Sequence, residues 1–466
     1  MRLSRRSAVL PVLWLLALLA ACDGKSPTPP TEEPEKERLL TDAELATPAD
    51  PAAPAENALW SDWIAANHHP IRSLTSSKTT DLQFLKPLLA GRRIVQLGES
   101  GHGVAEFNLA KVRLIRFLHE EMGFDVIAFE SGLYECWAAN RDGPSLTALA
   151  TMRRCTFQVW QTNEVLPLFE YIESTRGTAR PLTIAGFDAQ SSGHYGGGTL
   201  GRAAFLRDVV ARLDATYAQR VWKLDSTTLA HHWQATDDVE AAAAWYTANA
   251  QALMPAYDSL SAWMESNAAA LAQAYGAASD VPRTARGTAR YLSAQLRLYL
   301  VERTEGIPIR DKWMADNLDY LLDVMYPGKK VVVWAHNFHV AHAVAPEDFA
   351  MTPMGGWVSQ RRRAELYTVG LYMYTGQAAN NAREVYDVDD RHRSGSLESL
   401  LYRARRKYLF LDFSQAPAAP GTSWMTQPRI GKEWGVVPKT IVPRTFYDGV
   451  LFVHTTNAPD YIPPPE

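Results

Sequence analysis

The chain has only three cysteines, and their arrangement excludes most of the roles that cysteines play in small modules. They are Cys22, Cys136 and Cys155 in a sequence of 466 residues. No two of them are spaced as Cys-x-x-Cys, and none lies in a Cys/His cluster with zinc-finger spacing. The sequence therefore excludes structural zinc modules and thioredoxin-like redox motifs.

A charge excess and a serine-nucleophile motif are also missing. Lys and Arg number 47 against 51 Asp and Glu, which gives a formal net charge of −4. This balance argues against nucleic acid or another polyanion as a partner.

A Gly-x-Ser-x-Gly elbow is absent, and Ser100 has glycine on one side only. Any hydrolysis is therefore expected to use water directly rather than a serine nucleophile.

The N-terminus has the pattern of an export signal. Three arginines within the first six residues precede an apolar stretch at 9–21, which is too short for a comfortable membrane span. The four positions from Leu19 to Cys22 resemble a bacterial lipoprotein signal. We expect a signal peptide at 1–21, lipid on Cys22 that anchors an envelope protein to a membrane, and a disordered tether at 22–55. An ordinary secretory signal cut just before Cys22 is the alternative.

Export bears on the two remaining cysteines, because disulfides form and persist outside the cytoplasm. We expect Cys136 and Cys155 to be bridged, which would close a short loop. Two buried free thiols are the alternative. No second hydrophobic span follows the signal, so the body at 56–466 is expected to lie outside the bilayer.

Three apolar runs end in polar residues. They lie at 94–97, 126–129 and 331–335, and the pattern after each run is helical or rich in glycine. In α/β proteins the carboxyl ends of parallel strands carry the functional side chains. We therefore expect one sheet edge to bring together the side chains of Glu99, His102, Glu130, His336 and His339.

The order of predicted elements indicates an α/β fold with a mostly parallel sheet covered by helices. Further strands are expected at 182–188, 366–374, 408–412 and 450–454. From about 201 to 326 the sequence is rich in alanine with helical periodicity and almost no strand signal. This stretch is expected to be an inserted helical subdomain.

The clustered side chains suit proton transfer. An imidazole has a pKa near neutrality, and a carboxylate beside it raises its basicity and fixes its tautomer. Donors that could stabilise an oxyanion are His336, Lys111 and Arg310. Two histidines and two glutamates would also suit Zn²⁺ or Mn²⁺, so a metal-dependent hydrolase is an alternative.

Several motifs resemble those of the erythromycin esterase family. They occur in the expected order from about Ile94 to Gly376, and they comprise Val95–Gly103, Glu106-Phe107, Lys111, Gly123-Phe124, Val126–Glu130, Gly186-Phe187-Asp188, Arg310-Asp311 and Ala335–Ala341.

The resemblance implies an α/β sheet with a helical subdomain. It also implies metal-independent hydrolysis, without a cofactor, of a macrolactone ester by activated water, the chemistry of macrolide resistance. His102 would be the general base, with Glu99 and Glu130 as its carboxylate partners. The further predicted site residues are His336 and His339 as catalytic groups, and Lys111, Arg310 and Asp188 as substrate-binding groups. The alternatives are that Lys111 and Arg310 balance the carboxylates and that Asp188 is a helix N-cap.

The sequence leaves one further alternative open. An envelope lipoprotein without catalytic activity would use the same cleft to bind a hydrophobic ligand. The preferred interpretation is a carboxylic-ester hydrolase that acts on a small-molecule ester or lactone.

Overall fold

The computed structural model describes residue 40 and residues 55–192, 200–234, 239–298 and 300–464. The predicted signal peptide lies outside these residues, as does the predicted tether except for Leu40 and Ala55. Among the helices that are described, none combines the length and the apolar character needed to cross a bilayer.

The described strands form a nine-stranded sheet and a separate two-stranded hairpin. In chain order they are β1 (His69–Pro70), β2 (Ile94–Leu97), β3 (Phe124–Gly132), β4 (Thr183–Asp188), β5 (Lys330–Trp334), β6 (Leu366–Ala379), β7 (Val385–Asp387), β8 (Tyr408–Asp412), β9 (Arg429–Glu433), β10 (Val437–Ile441) and β11 (Gly449–Thr456).

The sheet is mostly parallel, as the sequence predicts. Its order is β1-β8-β11-β6-β2-β5-β3-β4, and the six strands from β11 to β4 are parallel to their neighbours. The strands β8 and β1 continue one side in antiparallel pairing, and β7 pairs with the end of β6. The hairpin consists of β9 and β10.

The helices account for most of the remaining described residues. They are α1 (Ala55–Asn67), α2 (Leu85–Leu88), α3 (Ala105–Met122), α4 (Leu133–Asp142), α5 (Ala148–Cys155), α6 (Leu166–Thr175), α7 (Gly201–Ala211), α8 (Ala215–Gln234), α9 (Val239–Ser266), α10 (Ala268–Tyr275), α11 (Val281–Leu298), α12 (Arg303–Tyr320), α13 (Asn337–Val340), α14 (Met354–Arg362), α15 (Leu397–Tyr402) and α16 (Pro443–Phe446). Short 3₁₀ turns include Gln158–Trp160.

Local sequence explains the elements around the site. All four residues of β2 are buried, as expected for a strand with helices on both faces of its sheet. The next helix, α3, ends at Gly123, which has a φ of 78° and donates its N–H to the carbonyl of Leu118. Glycine adopts this left-handed conformation without the steric penalty of a Cβ atom.

Strand positions agree with the sequence prediction better than strand ends do. The prediction of β3 stopped at Glu130, but the strand continues to Gly132. The strand predicted to reach His336 ends at Trp334, because His336 caps the short helix α13. The hairpin of β9 and β10 was not predicted, since its strands are short and lack a continuous apolar run.

The chain divides into two compact units. The described residues between 198 and 313 form a helical unit, in the stretch where the sequence indicates a helical subdomain. The core of this unit contains a buried ion pair between Arg202 and Asp225, which are 2.8 Å apart. The hydroxyl of Tyr257 also donates to Asp225 at 2.9 Å. The second unit contains the sheet.

The expected disulfide is present in the sheet unit. Cys136 of α4 is bonded to Cys155 of α5, and both residues are completely buried. The carbonyl of Cys155 accepts a hydrogen bond from the Ser192 hydroxyl, which in turn accepts the N–H of Gly132 at the end of β3. The crosslink therefore joins two helices and is connected to a strand that leads to the site.

Replacing both Cys136 and Cys155 by serine should lower the free energy of unfolding by about 3 kcal/mol, because the open chain regains loop entropy when it unfolds. Denaturant titration of the oxidised wild-type protein and the double variant measures this difference. Equal unfolding midpoints and slopes would contradict the expectation. Wild-type protein treated with reductant should behave like the double variant.

Candidate active site

Three adjacent parallel strands carry the central side chains of the site. In the sheet β5 lies between β2 and β3, and its last residue, Trp334, is in register with the last residue of β2 and with Phe129 of β3. Glu99 and His336 each follow two residues after their strands end, and Glu130 follows Phe129 directly. The predicted meeting of these strand ends is what the structure shows.

Glu99 and His102 are in direct contact within one turn. Oε1 of Glu99 lies 2.6 Å from Nδ1 of His102. The Glu99 side chain is completely buried, whereas 13% of the His102 side chain is exposed. A glycine must precede this turn, because a Cβ at Gly98 would lie 2.1 Å from Oδ1 of Asn337.

Two more donors hold the Glu99 carboxylate. Nζ of Lys111 lies 2.5 Å from Oε2, and Nε1 of Trp160 donates to Oε1 at 2.9 Å. Burial lowers the pKa of Lys111 to about 8, against the opposing effect of Glu99. The lysine is therefore protonated at neutral pH and balances the carboxylate. A buried carboxylate with this many donors is held in position.

Lys111 has the second of its two expected roles, which is to balance a carboxylate. Its side chain has no exposed surface and lies over the ring of Trp334 with Nζ 4.3 Å from the ring centroid. The helix α3 directs the ammonium group to the Glu99 carboxylate. This buried contact favours charge balance over the binding of substrate.

Glu130 organises the histidines that follow β5. Its Oε2 accepts the backbone N–H of His336 at 2.9 Å, and its Oε1 lies 3.4 Å from Nε2 of His339. Glu130 therefore contacts the other two histidines of the site, whereas Glu99 meets Nδ1 of His102. The predicted partnership of Glu130 with His102 stays a prediction from the sequence.

The proton of His336 can be placed from its contacts. Its Nδ1 accepts the N–H of Phe338 at 3.1 Å, so the neutral ring carries its proton on Nε2. This Nε2 is buried and has no hydrogen-bond partner among the described residues. Burial, together with the nearby His102 and His339, lowers the pKa of His336 well below its usual range. The ring is therefore a neutral N–H donor.

Aromatic rings surround His102 in a way the sequence did not predict. The ring centroid of His102 is 5.0 Å from that of His336, 5.1 Å from Trp160 and 5.4 Å from Trp434. Trp160 and Trp434 lie on a 3₁₀ turn and at the hairpin tip, outside the strand-end pattern. A local signal existed for Trp434, because it precedes Gly435 between two short strands, as expected of a turn.

Asp188 and Arg310 are the other two predicted substrate-binding residues. Asp188 is buried at the end of β4, and its Oδ1 accepts the N–H of Gln190, which is a capping role in its own turn. Arg310 lies in α12, in the helical unit. Their assignment to substrate stays a prediction from the sequence.

The arrangement supplies the parts that activation of a water molecule requires. His102 has one nitrogen on a carboxylate and a partly exposed ring, and a neutral N–H donor lies beside it. No group of three or more His, Cys, Asp or Glu residues within the described part of the chain has the geometry of a metal site. Glu99 and Glu130 instead bind the protein's own donors.

Comparison with known proteins identifies the family. The family model "Erythromycin esterase" matches residues 119–456, a range that begins after His102 and includes Glu130, His336 and His339. The Bacillus subtilis (strain 168) protein YbfO, whose name carries a provisional assignment as a hydrolase, is 31% identical over 433 residues. This similarity covers 87% of the present chain and 93% of YbfO.

Solved structures show the same fold. A Bacillus cereus protein superposes with a TM-score of 0.74 at 16% identity, over 88% of this chain and all of that one. A mutant of the erythromycin esterase EreC in its open conformation superposes with a TM-score of 0.62 at 20% identity, over 82% of this chain and 95% of EreC. The family match and the relationship to YbfO support hydrolase activity, and the chain belongs to the erythromycin esterase family.

Proposed function

We propose that this protein hydrolyses a carboxylic ester, either open or in a macrolactone ring, by direct attack of water. The observation that carries the proposal is the buried contact of Glu99 with Nδ1 of His102 beside a neutral His336. The family match supports the ester as substrate class. The reaction needs no covalent intermediate with the protein, in keeping with the missing serine elbow.

In the first step His102 acts as the general base. Glu99 accepts the Nδ1–H of the ring, which leaves the lone pair on Nε2 free to take a proton from water. As the proton transfers, the resulting hydroxide forms a bond to the ester carbonyl carbon. The positive charge that develops on the imidazole is stabilised by Glu99, whose own charge Lys111 balances before the reaction begins.

The second step breaks the bond between the carbonyl carbon and the alkoxy oxygen. The tetrahedral intermediate collapses, and the departing oxygen takes the proton that His102 received from water. The products are a carboxylic acid and an alcohol, which remain one molecule when the substrate is a lactone. His102 returns to its neutral form.

His336 is the proposed donor to the oxyanion. Its Nε2–H is buried and its ring is 5.0 Å from that of His102, so one substrate carbonyl can approach both. A neutral imidazole can donate this bond without adding a proton that must later be removed. Glu130 fixes the backbone N–H of His336 and contacts His339, so it holds both histidines in position.

The cellular setting of this proposal comes from the sequence alone. A lipid on Cys22 would place the hydrolase in the bacterial cell envelope, where bulky exogenous esters or lactones arrive before they enter the cytoplasm.

Replacing His102 by alanine should reduce kcat/KM for an ester substrate by about 10²- to 10⁴-fold, because the general base is lost. Turnover is followed by mass spectrometry as the gain of one water, first on erythromycin and then on a lactone panel. Circular dichroism and thermal unfolding show whether the fold is kept. His68→Ala removes a partly exposed histidine that contacts Arg406 and serves as the matched control.

An unchanged rate in the His102 variant would contradict the proposed mechanism. A wild-type protein that binds lactones but hydrolyses none would favour the ligand-binding alternative.

Replacing His336 by glutamine should reduce kcat by about 10²-fold, the usual cost of losing one oxyanion donor. The shape of the pH profile around and above neutrality should stay the same, because burial lowers the pKa of His336 well below its usual range and its ring is neutral there. Measurement of kcat/KM against pH for both proteins tests this. If the variant loses the acidic limb, His336 is a titrating base and the assigned roles are wrong.

Prolonged treatment with a chelator should leave the rate of ester hydrolysis within about twofold of the untreated enzyme, since both carboxylates of the site bind protein donors. Elemental analysis of the purified protein accompanies the assay. Loss of activity that Zn²⁺ or Mn²⁺ restores would support the metal-dependent alternative instead.

A further inference from the structure

Trp434 occupies the tip of the β9–β10 hairpin in a conformation that a bulky residue rarely adopts. Its φ is 57°, in the left-handed region, where a residue with a Cβ atom is sterically strained. Hydrogen bonds hold both sides of the residue, because its N–H donates to the carbonyl of Ser100 at 2.5 Å and its carbonyl accepts the hydroxyl of Tyr386 at 2.7 Å. Such strain persists where the surroundings impose it.

The strained backbone directs the indole to the catalytic histidines. The ring stacks on His336 at 5.2 Å with an interplanar angle of 27°, and it meets His102 edge-on at 5.4 Å. A Cβ at position 101 would lie 3.1 Å from Cε3 of the indole, so a glycine at this position leaves room for the ring. The turn that carries Glu99 and the hairpin tip are therefore fitted to each other.

Trp434 differs from the other rings around His102 in its exposure. Trp160 and His336 are 1% and 5% exposed, respectively, whereas Trp434 is only partly buried. Since His102 itself is 13% exposed, a substrate that reaches its ring from solvent comes next to the indole. Among the described rings that contact His102, Trp434 is the one whose exposed surface that substrate can contact.

Exposed apolar residues occur near Trp434 in the sequence. Five large apolar residues are exposed in the described part of the chain, and three of them are Val385, Val436 and Val437. Val436 and Val437 follow Trp434 on the hairpin, and Val385 precedes the tyrosine that bonds to its carbonyl. Of these side chains, the Trp434 indole is the one that contacts the histidines of the site, so the inference rests on it.

We propose that Trp434 is a specificity-determining residue, whose indole binds the apolar face of a bulky ester or lactone next to His102. This inference rests on the proposed function and narrows its substrate class. Small esters that do not extend beyond the reacting carbonyl would not use this surface. The ring contributes to binding, and the proton transfers are those of His102.

The test compares a large and a small substrate, erythromycin and δ-valerolactone, on Trp434→Ala and Trp434→Phe. Trp434→Ala should lower kcat/KM for erythromycin by at least about tenfold, chiefly through KM, because one aromatic contact and its buried area are lost. The loss for δ-valerolactone, which reports any disturbance of the two histidines that the ring contacts, should be at least about fivefold smaller than the loss for erythromycin, since a small ring does not extend over the indole. Trp434→Phe keeps an aromatic face, so its kcat/KM for erythromycin should lie between the values of the wild type and of Trp434→Ala.

Leu59→Ala is the control, because it removes another exposed apolar side chain, on α1. It should leave kcat/KM unchanged for both substrates. An equal loss on both substrates would show that Trp434 only supports the fold of the site, and no loss on either would show that it does not meet the substrate. Both results overturn the proposal.

Binding of erythromycin, measured by calorimetry, separates this inference from the proposed function. The wild-type protein could bind erythromycin and hydrolyse neither substrate, with Trp434→Ala binding erythromycin at least about tenfold more weakly. That result would support the role of Trp434 in binding and contradict the proposed hydrolysis. If the wild-type protein neither hydrolyses nor binds erythromycin, the proposed bulky substrate and the role of Trp434 are both wrong.

Discussion

The site depends on one buried carboxylate. Glu99 has no exposed surface and is held by His102, Lys111 and Trp160 at distances between 2.5 and 2.9 Å. A carboxylate without such donors would take up a proton rather than remain charged in the interior. In the proposed reaction Glu99, held by these donors, fixes the tautomer of His102 and stabilises the imidazolium that forms during proton transfer. Lys111 then contributes to the proposed catalysis without touching the substrate.

The sheet provides the rigid frame on which these contacts rely. Because β2, β5 and β3 are adjacent and parallel, their carboxyl ends bring Glu99, His336 and Glu130 together without long loops. Close packing at the turns then requires glycine. At Gly103, for example, a Cβ would lie 2.2 Å from the carbonyl oxygen of Ala379. The catalytic groups therefore lie on the most constrained part of the fold, where small displacements are costly.

The sequence predicted the parallel sheet and the residues at its strand ends because apolar runs and the glycines that follow them are local signals. Contacts that depend on distant segments were harder to predict. Trp160 and Trp434 approach Glu99 and His102 from a 3₁₀ turn and a hairpin far along the chain. The sequence left two roles open for Lys111, because position along the chain does not show that its side chain points to Glu99 in the interior.

The central claim is that Glu99 keeps the proton of neutral His102 on Nδ1 and leaves Nε2 free to accept one from water. Long-range ¹H–¹⁵N spectra of protein labelled at histidine measure this directly, with the signal of His102 assigned by its loss in His102→Ala. The account predicts that neutral His102 is protonated at Nδ1, and that Glu99→Gln disturbs this tautomer. Protonation of His102 at Nε2 in the wild-type protein would contradict the account.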